Sequence, residues 1–287
     1  MTAPALSAPA PAALSHAGHT PVLTVLGTLR SEWIKLWSLR TTYWTLALTA
    51  AAYVALAALL ALLLRNPDFA QGDPTLAQLP FVAGVYVATI PLLVLGTLTI
   101  TGEYSTGQVR SSLVAVPIRL RWLAAKLTVL TGTAVVVVAA TVAIATALVT
   151  LILSGTQAKL DLSDPETVRI IGGGALYLVT IMVLAFAVGA LLRNSGAALG
   201  VVLGFLLIVE QIVAIVAQFW KPMQAINPFL PGSAGARLTT PQAQLDATNA
   251  ANVYNIHLSA WQGYGVLVAW VVVVLVLAAV RLRTRDA

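Results

Sequence analysis

From Thr41 to Leu64 the chain runs for 24 residues without one charged side chain. At about 1.5 Å per residue a helix of that length reaches some 36 Å, more than the roughly 30 Å of a bilayer's hydrocarbon core. Every backbone amide and carbonyl in that core must find an internal partner, so a run of this kind crosses as a helix. Five further apolar runs, at about 80–101, 127–153, 170–192, 196–219 and 261–280, carry no charged side chain except Glu210 in the fifth span, and the first span is placed at about 43–64. The sequence therefore predicts an all-α integral membrane protein with six transmembrane helices.

Composition agrees: 59% of the residues are hydrophobic, only 9% are charged and the mean hydropathy is +0.90. Soluble domains carry about a quarter charged residues. The net charge of +6 would suggest nucleic acid in a soluble protein. Here the basic residues sit beside apolar runs, where membrane topology accounts for them, and no nucleic-acid partner is expected. The chain has no cysteine, which excludes disulfides and thiolate metal sites. His16, His19 and His257 match no metal-ligand spacing, so no metal site is assigned. Residues 1–20 are rich in Ala and Pro and lack a basic start and apolar core, so they read as a disordered cytoplasmic tail rather than a secretory signal.

Residues 21–42 read as an amphipathic helix lying in the membrane interface. Val22, Val25, Leu26, Leu29, Trp33, Leu36 and Trp37 fall within an arc of about 120°, Arg30, Glu32 and Lys35 lie off it, and Arg40 closes the segment. Span two contains Pro91, which removes a backbone hydrogen bond and predicts a kink. Between spans two and three lies a charged, turn-punctuated stretch, Glu103-Tyr104-Ser105-Thr106-Gly107-Gln108-Val109-Arg110 and on through Pro117, Arg119, Arg121, Trp122 and Lys126. Val109, Leu113 and Val116 keep helical spacing there and Ser105 or Thr106 could cap the start, so a short surface helix is expected. An ordinary loop made basic by topology reads the same residues equally well.

Asp161, Asp164 and Glu166 lie in the loop before span four, but their spacing fits no calcium template and reads as a solvated external loop. Arg193-Asn194-Ser195 alone separates spans four and five, which makes these antiparallel neighbours. On span five, Gly196, Gly200 and Gly204 form overlapping G-x-x-x-G steps, and on a regular helix Glu210, Gln211 and Gln218 share their side. That side suits close protein contact or a polar route, and Glu210 must face protein or water or be protonated. Residues 281–287 form a basic tail.

With both termini inside, eleven of the sixteen basic residues fall in cytoplasmic segments and five outside, as the positive-inside rule requires. No lysine follows a glycine: the four follow Ile34, Ala125, Ala158 and Trp220, so the chain has no P-loop and cannot hydrolyse ATP by that mechanism. Gly232-Ser233-Ala234-Gly235 with His257 lacks the strand-turn-helix setting of a serine hydrolase. No catalytic residue is assigned.

The stretch Glu103 to Arg110, with Ala115-Val116-Pro117 and Ala124-Ala125-Lys126, resembles the loop after the second span in type-2 ATP-binding-cassette (ABC) permeases. Ser31 to Trp44 resembles the amphipathic leading helix of the same family, particularly its actinobacterial members, and Asn227 to Gly235 resembles the region before its last span, where short external helices cap the route. The resemblance implies a cytoplasmic coupling helix, with Glu103, Tyr104, Ser105, Thr106, Gly107, Gln108, Arg110 and Arg119 docking a separate ABC ATPase subunit. It also implies Trp33, Lys35, Trp37 and Arg40 in an interfacial helix, a second copy of the chain or a related permease as partner, and a place in the cytoplasmic membrane. ATP and magnesium would sit on the ATPase subunit and no cofactor on this chain. An exporter permease is thus the expected function. A non-transporting scaffold or regulatory subunit bound to anionic lipid, and an ion-coupled carrier with Glu210 as proton site, stand as alternatives.

Overall fold

The computed structural model describes residues 24–66, 69, 74–115, 118–156 and 159–284. The 1–20 tail, and with it Val22, Val116, Pro117 and Arg285, lies outside them. Among the described residues the chain is helical without a strand, and six helices are long and apolar enough to cross a membrane.

Helix α1 (Val25–Ser38) starts at Thr24, whose hydroxyl accepts from the Gly27 amide, and ends where Leu39 turns extended. The first span, α2 (Arg40–Leu64), begins at the next residue, so Arg40 to Thr42 belong to the span and not to the interfacial helix. The second, α3 (Leu79–Ser105), runs through Pro91. A short helix, α4 (Gln108–Ala115), follows the Thr106-Gly107 turn, in the place expected between spans two and three. Ser105 and Thr106 do not cap it. Their hydroxyls bond back to the Gly102 carbonyl and finish α3 instead.

The third span, α5 (Arg119–Leu153), is longer than its apolar run. Its first three turns carry Trp122, Leu123, Ala125 and Lys126 into the protein interior, where packing takes over from hydropathy. Helix α6 (Pro165–Leu192) is capped by Asp164, whose carboxylate accepts from the amides of Glu166 and Thr167. Arg193 then takes a left-handed conformation (φ 59°) and Asn194 caps the next helix through the Ala197 amide, which makes the tight antiparallel turn. Helices α3 and α6 are the most enclosed of the spans and form the central pair. A Cβ on Gly96 would collide with the Met182 carbonyl, so glycine permits their close approach.

Span five is interrupted. Helix α7 (Ser195–Leu203) passes into a π-helical turn over Gly204–Val209 and resumes as α8 (Glu210–Val216). The wider turn shifts the phase of everything after it. The chain then makes α9 (Lys221–Ile226), α10 (Pro231–Ala236) and α11 (Gln242–Ala250) before the last span, α12 (Ala260–Thr284). Helix α10 lies beside the spans: Gly235 abuts Leu267 and Tyr177, and Trp270 Nε1 donates to the Phe229 carbonyl at 2.9 Å. Trp270 stands about 15 Å along α12 from its start, so residues near 229–236 reach well down between spans. Irregular backbone at that depth is tolerated only where protein covers it.

Candidate functional site

The end of the bundle that carries α1, α4 and the end of α12 gathers the charged side chains. Thr28, Glu32 and Leu36, spaced by four, form the buried face of α1, while Val25, Leu26 and Trp33 point away from the protein. The apolar arc found in the sequence is thus split: Val25, Leu26 and Trp33 face outward while Leu36 is buried and Leu29 and Trp37 pack against the core, and of the polar residues off the arc Glu32 packs whereas Arg30 stays exposed. Trp33, Trp37 and Tyr43 pack in two tilted pairs with ring centroids 5.6 and 5.0 Å apart, a belt suited to the membrane interface. Arg40 is exposed.

On the buried side four charges meet. Lys126 Nζ lies 2.7 Å from Glu103 Oε1 and 2.7 Å from Glu32 Oε2. Lys35 Nζ donates to Glu32 Oε1 at 2.8 Å, to Ser112 Oγ at 2.9 Å and more distantly to Glu103 Oε1 at 3.4 Å. Ser112 Oγ in turn donates to Glu103 Oε2 at 3.3 Å. Glu32, Glu103 and Lys126 are only 3%, 6% and 5% exposed. Two carboxylates and two ammonium groups cancel, so the cluster is neutral as a unit. Removing any member leaves an uncompensated buried charge, which costs about 3–5 kcal/mol.

The cluster ties α1, α3, α4 and α5 together. From α4 it takes Ser112, and Val109 packs beneath the same helix. What α4 turns outward is Gln108, Ser111 and Val114, the last 86% exposed, together with the Ser105-Thr106-Gly107 turn. The side chain of Arg110 lies outside the described residues. Tyr104 is partly buried under Arg193, whose guanidinium carbon stands 5.5 Å from the ring centre. Three arginines brace the surrounding helix ends: Arg119 donates to the Leu282 carbonyl, Arg193 to that of Arg281, and Arg281 to that of Leu191. A short exposed helix is therefore mounted on a rigid, neutral footing that joins four helices. No known family model matches the chain, and no curated protein matches it either.

Of the residues singled out in the sequence, Glu103 and Lys35 lie in the cluster, and Ser105, Thr106, Gly107 and Gln108 lie on the exposed turn beside it. Glu32, Lys126 and Ser112 complete the cluster and were not singled out as site residues. A signal for Glu32 existed: Thr28, Glu32 and Lys35 make a polar stripe at helical spacing opposite an apolar arc, and in an interfacial helix that is the protein-facing side.

The expected face of span five is divided. Gly196, Gly200, Gln211 and Gln218 are exposed, and a Cβ on Gly200 or Gly204 would meet nothing within 4 Å. Glu210, at 2% exposure, turns the other way. Its carboxylate accepts from the Gly232 amide (2.9 Å), the Ser233 amide (2.7 Å) and the Ser233 hydroxyl (3.1 Å), holding the first turn of α10. The π turn parts Glu210 from the glycines: one extra residue per turn rotates the helix after Gly204 away from the regular wheel. Nearby, Arg169 donates to the carbonyls of Arg237, Leu238 and Thr240, while buried Arg237 donates to the Leu258 carbonyl and to Asn249, so the segment between spans five and six is pinned at both ends.

Proposed function

We propose that this chain is the membrane-spanning permease subunit of an ABC exporter, working in a cytoplasmic membrane with both termini inside and with ATP hydrolysed on a separate ATPase subunit. The observation that carries the reading is the mounting of α4. Its outer face is free, while its inner face is fixed through Ser112 to a charge cluster shared by α1, α3 and α5. A push on α4 is then delivered to the feet of two spans and to the interfacial helix at once, as a device that converts nucleotide-driven closure into span movement requires. The eleven-to-five bias of basic residues supports an orientation with this end of the bundle in the cytoplasm, where an ATPase can reach it. The exposed glycine face of α7 suits a close helix contact with a second permease.

The ion-coupled carrier reading loses its motive, because the Glu210 carboxylate has a structural task at α10. The scaffold reading shares the topology but gives no use for an exposed helix on a rigid footing. The deciding experiment purifies the chain, tagged, from its native host in mild detergent and assays for a co-purifying ATPase. A stoichiometric ATPase lost on scrambling residues 105–111, with the fold intact, is the expected result. A well-folded preparation without an ATPase would overturn the proposal.

A further inference from the structure

Helices α1 and α5 pack with an open groove of about 390 Å³ along their outer side. Leu26, Arg30 and Trp33, spaced by four and three, form its α1 bank, and Thr128 and Gly132 lie on its α5 side. Leu26 is 78% and Trp33 49% exposed, and a Cβ on Gly132 would meet nothing within 4 Å. One turn beyond Gly132, Val135 and Val136 are exposed too, so the groove opens onto the apolar outer surface of the third span.

Arg30 brings the groove its charge, and no acidic side chain lines it. The guanidinium is exposed, and among the described residues no hydrogen bond or ion pair engages it. The other charged residues of α1, Glu32 and Lys35, are committed to the buried cluster. Trp33, the next turn of the same bank, belongs to the aromatic belt and marks the level of the lipid headgroups. Thr128 stands beside the start of the apolar run of α5, and Gly132 lies about 6 Å deeper. A free guanidinium is therefore held at headgroup depth, with an apolar lane leading inward from it.

A small anion from the water would use the guanidinium and leave the lane empty. A phosphate tethered to an acyl chain uses both, and the guanidinium fork matches phosphate oxygens in pairs. A headgroup amine would find no carboxylate in the lining, so the groove favours a lipid of net negative charge. We propose that this groove binds an anionic phospholipid, whose phosphate accepts from Arg30 and whose acyl chain lies over Gly132 between α1 and α5. The lipid fills the outer side of a helix contact whose inner side is held by the four-charge cluster. The assignment stands apart from the transport reading and is tested without an ATPase.

The full chain is reconstituted in nanodiscs of phosphatidylcholine with a minority of phosphatidylglycerol, and the lipid retained after mild release is weighed by native mass spectrometry. Phosphatidylglycerol should be enriched about fivefold over its share of the disc, the preference one interfacial arginine supplies. Arg30→Gln should abolish the enrichment, whereas Arg40→Gln, which removes an exposed arginine outside the groove, should leave it intact. Gly132→Leu fills the lane without touching a charge and should lower the retention about fourfold, the cost of displacing one buried methylene. No enrichment in the wild type, enrichment that survives Arg30→Gln, or an equal loss from Arg40→Gln overturns the proposal. Binding of soluble glycerol phosphate as tight as that of the lipid overturns the lipid source.

Discussion

Lys126 and Glu103 stand 23 positions apart and meet at 2.7 Å with both side chains buried. Glu103 lies in the last turn of α3, Lys126 in the third turn of α5, and all of α4 lies between them. The ion pair closes a loop around the short helix, and Glu32 and Lys35 bind that loop to α1. Lys126→Met should therefore lower stability by about 3–5 kcal/mol, because two buried carboxylates are left to share Lys35. Glu103→Gln removes one of them, so the double variant should lose less than the sum of the singles, with a coupling of about 0.5–3 kcal/mol. Unfolding in detergent measures all three, and strictly additive losses would show that the pair does not act as a unit.

Gly107 makes the turn into α4 with φ +71°, and a Cβ there would meet nothing within 4 Å. The penalty for Gly107→Ala is then backbone strain alone, about 1–2 kcal/mol. That strain falls on the turn, so hydrogen exchange should rise over 108–115 and stay unchanged in the central helices α3 and α6. A uniform rise across the bundle would place the effect elsewhere.

The spans were legible because long apolar runs with at most one charge, each able to reach across a bilayer, permit little else. Their ends were less so. The sequence expectation begins span three at about 127, whereas α5 begins at Arg119, since Trp122 is buried in the core and Lys126 is held by Glu32 and Glu103 rather than facing lipid. The cluster itself was half legible. Glu103 and Lys35 stand out in their motifs, but Glu32 and Lys126 acquire meaning only when helices far apart in sequence converge. Span five misled for a local reason. A regular wheel puts Glu210 with the glycines, and no residue in Gly204–Val209 announces a π turn. The partner that makes such a turn worthwhile, the first turn of α10, lies 22 residues further on.

Asp164 gives a pH dependence with a definite sign. Hydrogen bonds from the Thr167 hydroxyl, then from the Thr167 and Glu166 amides, hold its carboxyl below the ordinary value of 3.8. A group depressed on folding stabilises above its unfolded pKa and loses that contribution as the pH falls through the folded value. The cap on α6 should thus be constant between about pH 5 and 7 and fail only in stronger acid. Asp164→Asn keeps a capping oxygen but cannot titrate. The difference in melting temperature between wild type and this variant should be flat near neutrality and shift against the wild type below the ordinary aspartate value. A difference that changes already near pH 6 would point to another group.

Glu210 and Gly232 are two halves of one contact. A Cβ on Gly232 would stand 2.6 Å from Glu210 Oε2, so an alanine there must push the carboxylate off the amides it serves. Glu210→Gln keeps the shape but replaces one acceptor oxygen with a donor, leaving either the Gly232 or the Ser233 amide unpaired. Each single variant should cost about 1–3 kcal/mol, the penalty for a buried group stripped of its partner. The double variant should cost little more than either, because the second change damages a contact already lost. Thermal unfolding gives the three values, and proteolysis within 221–258 reports whether the segment between spans five and six has come loose. The pattern separates two roles for Glu210. A latch is weakened alike from either side of the contact, whereas a proton site would feel Glu210→Gln in full and Gly232→Ala only in passing. Equal damage from Gly232→Ala would mark the carboxylate as the anchor of α10.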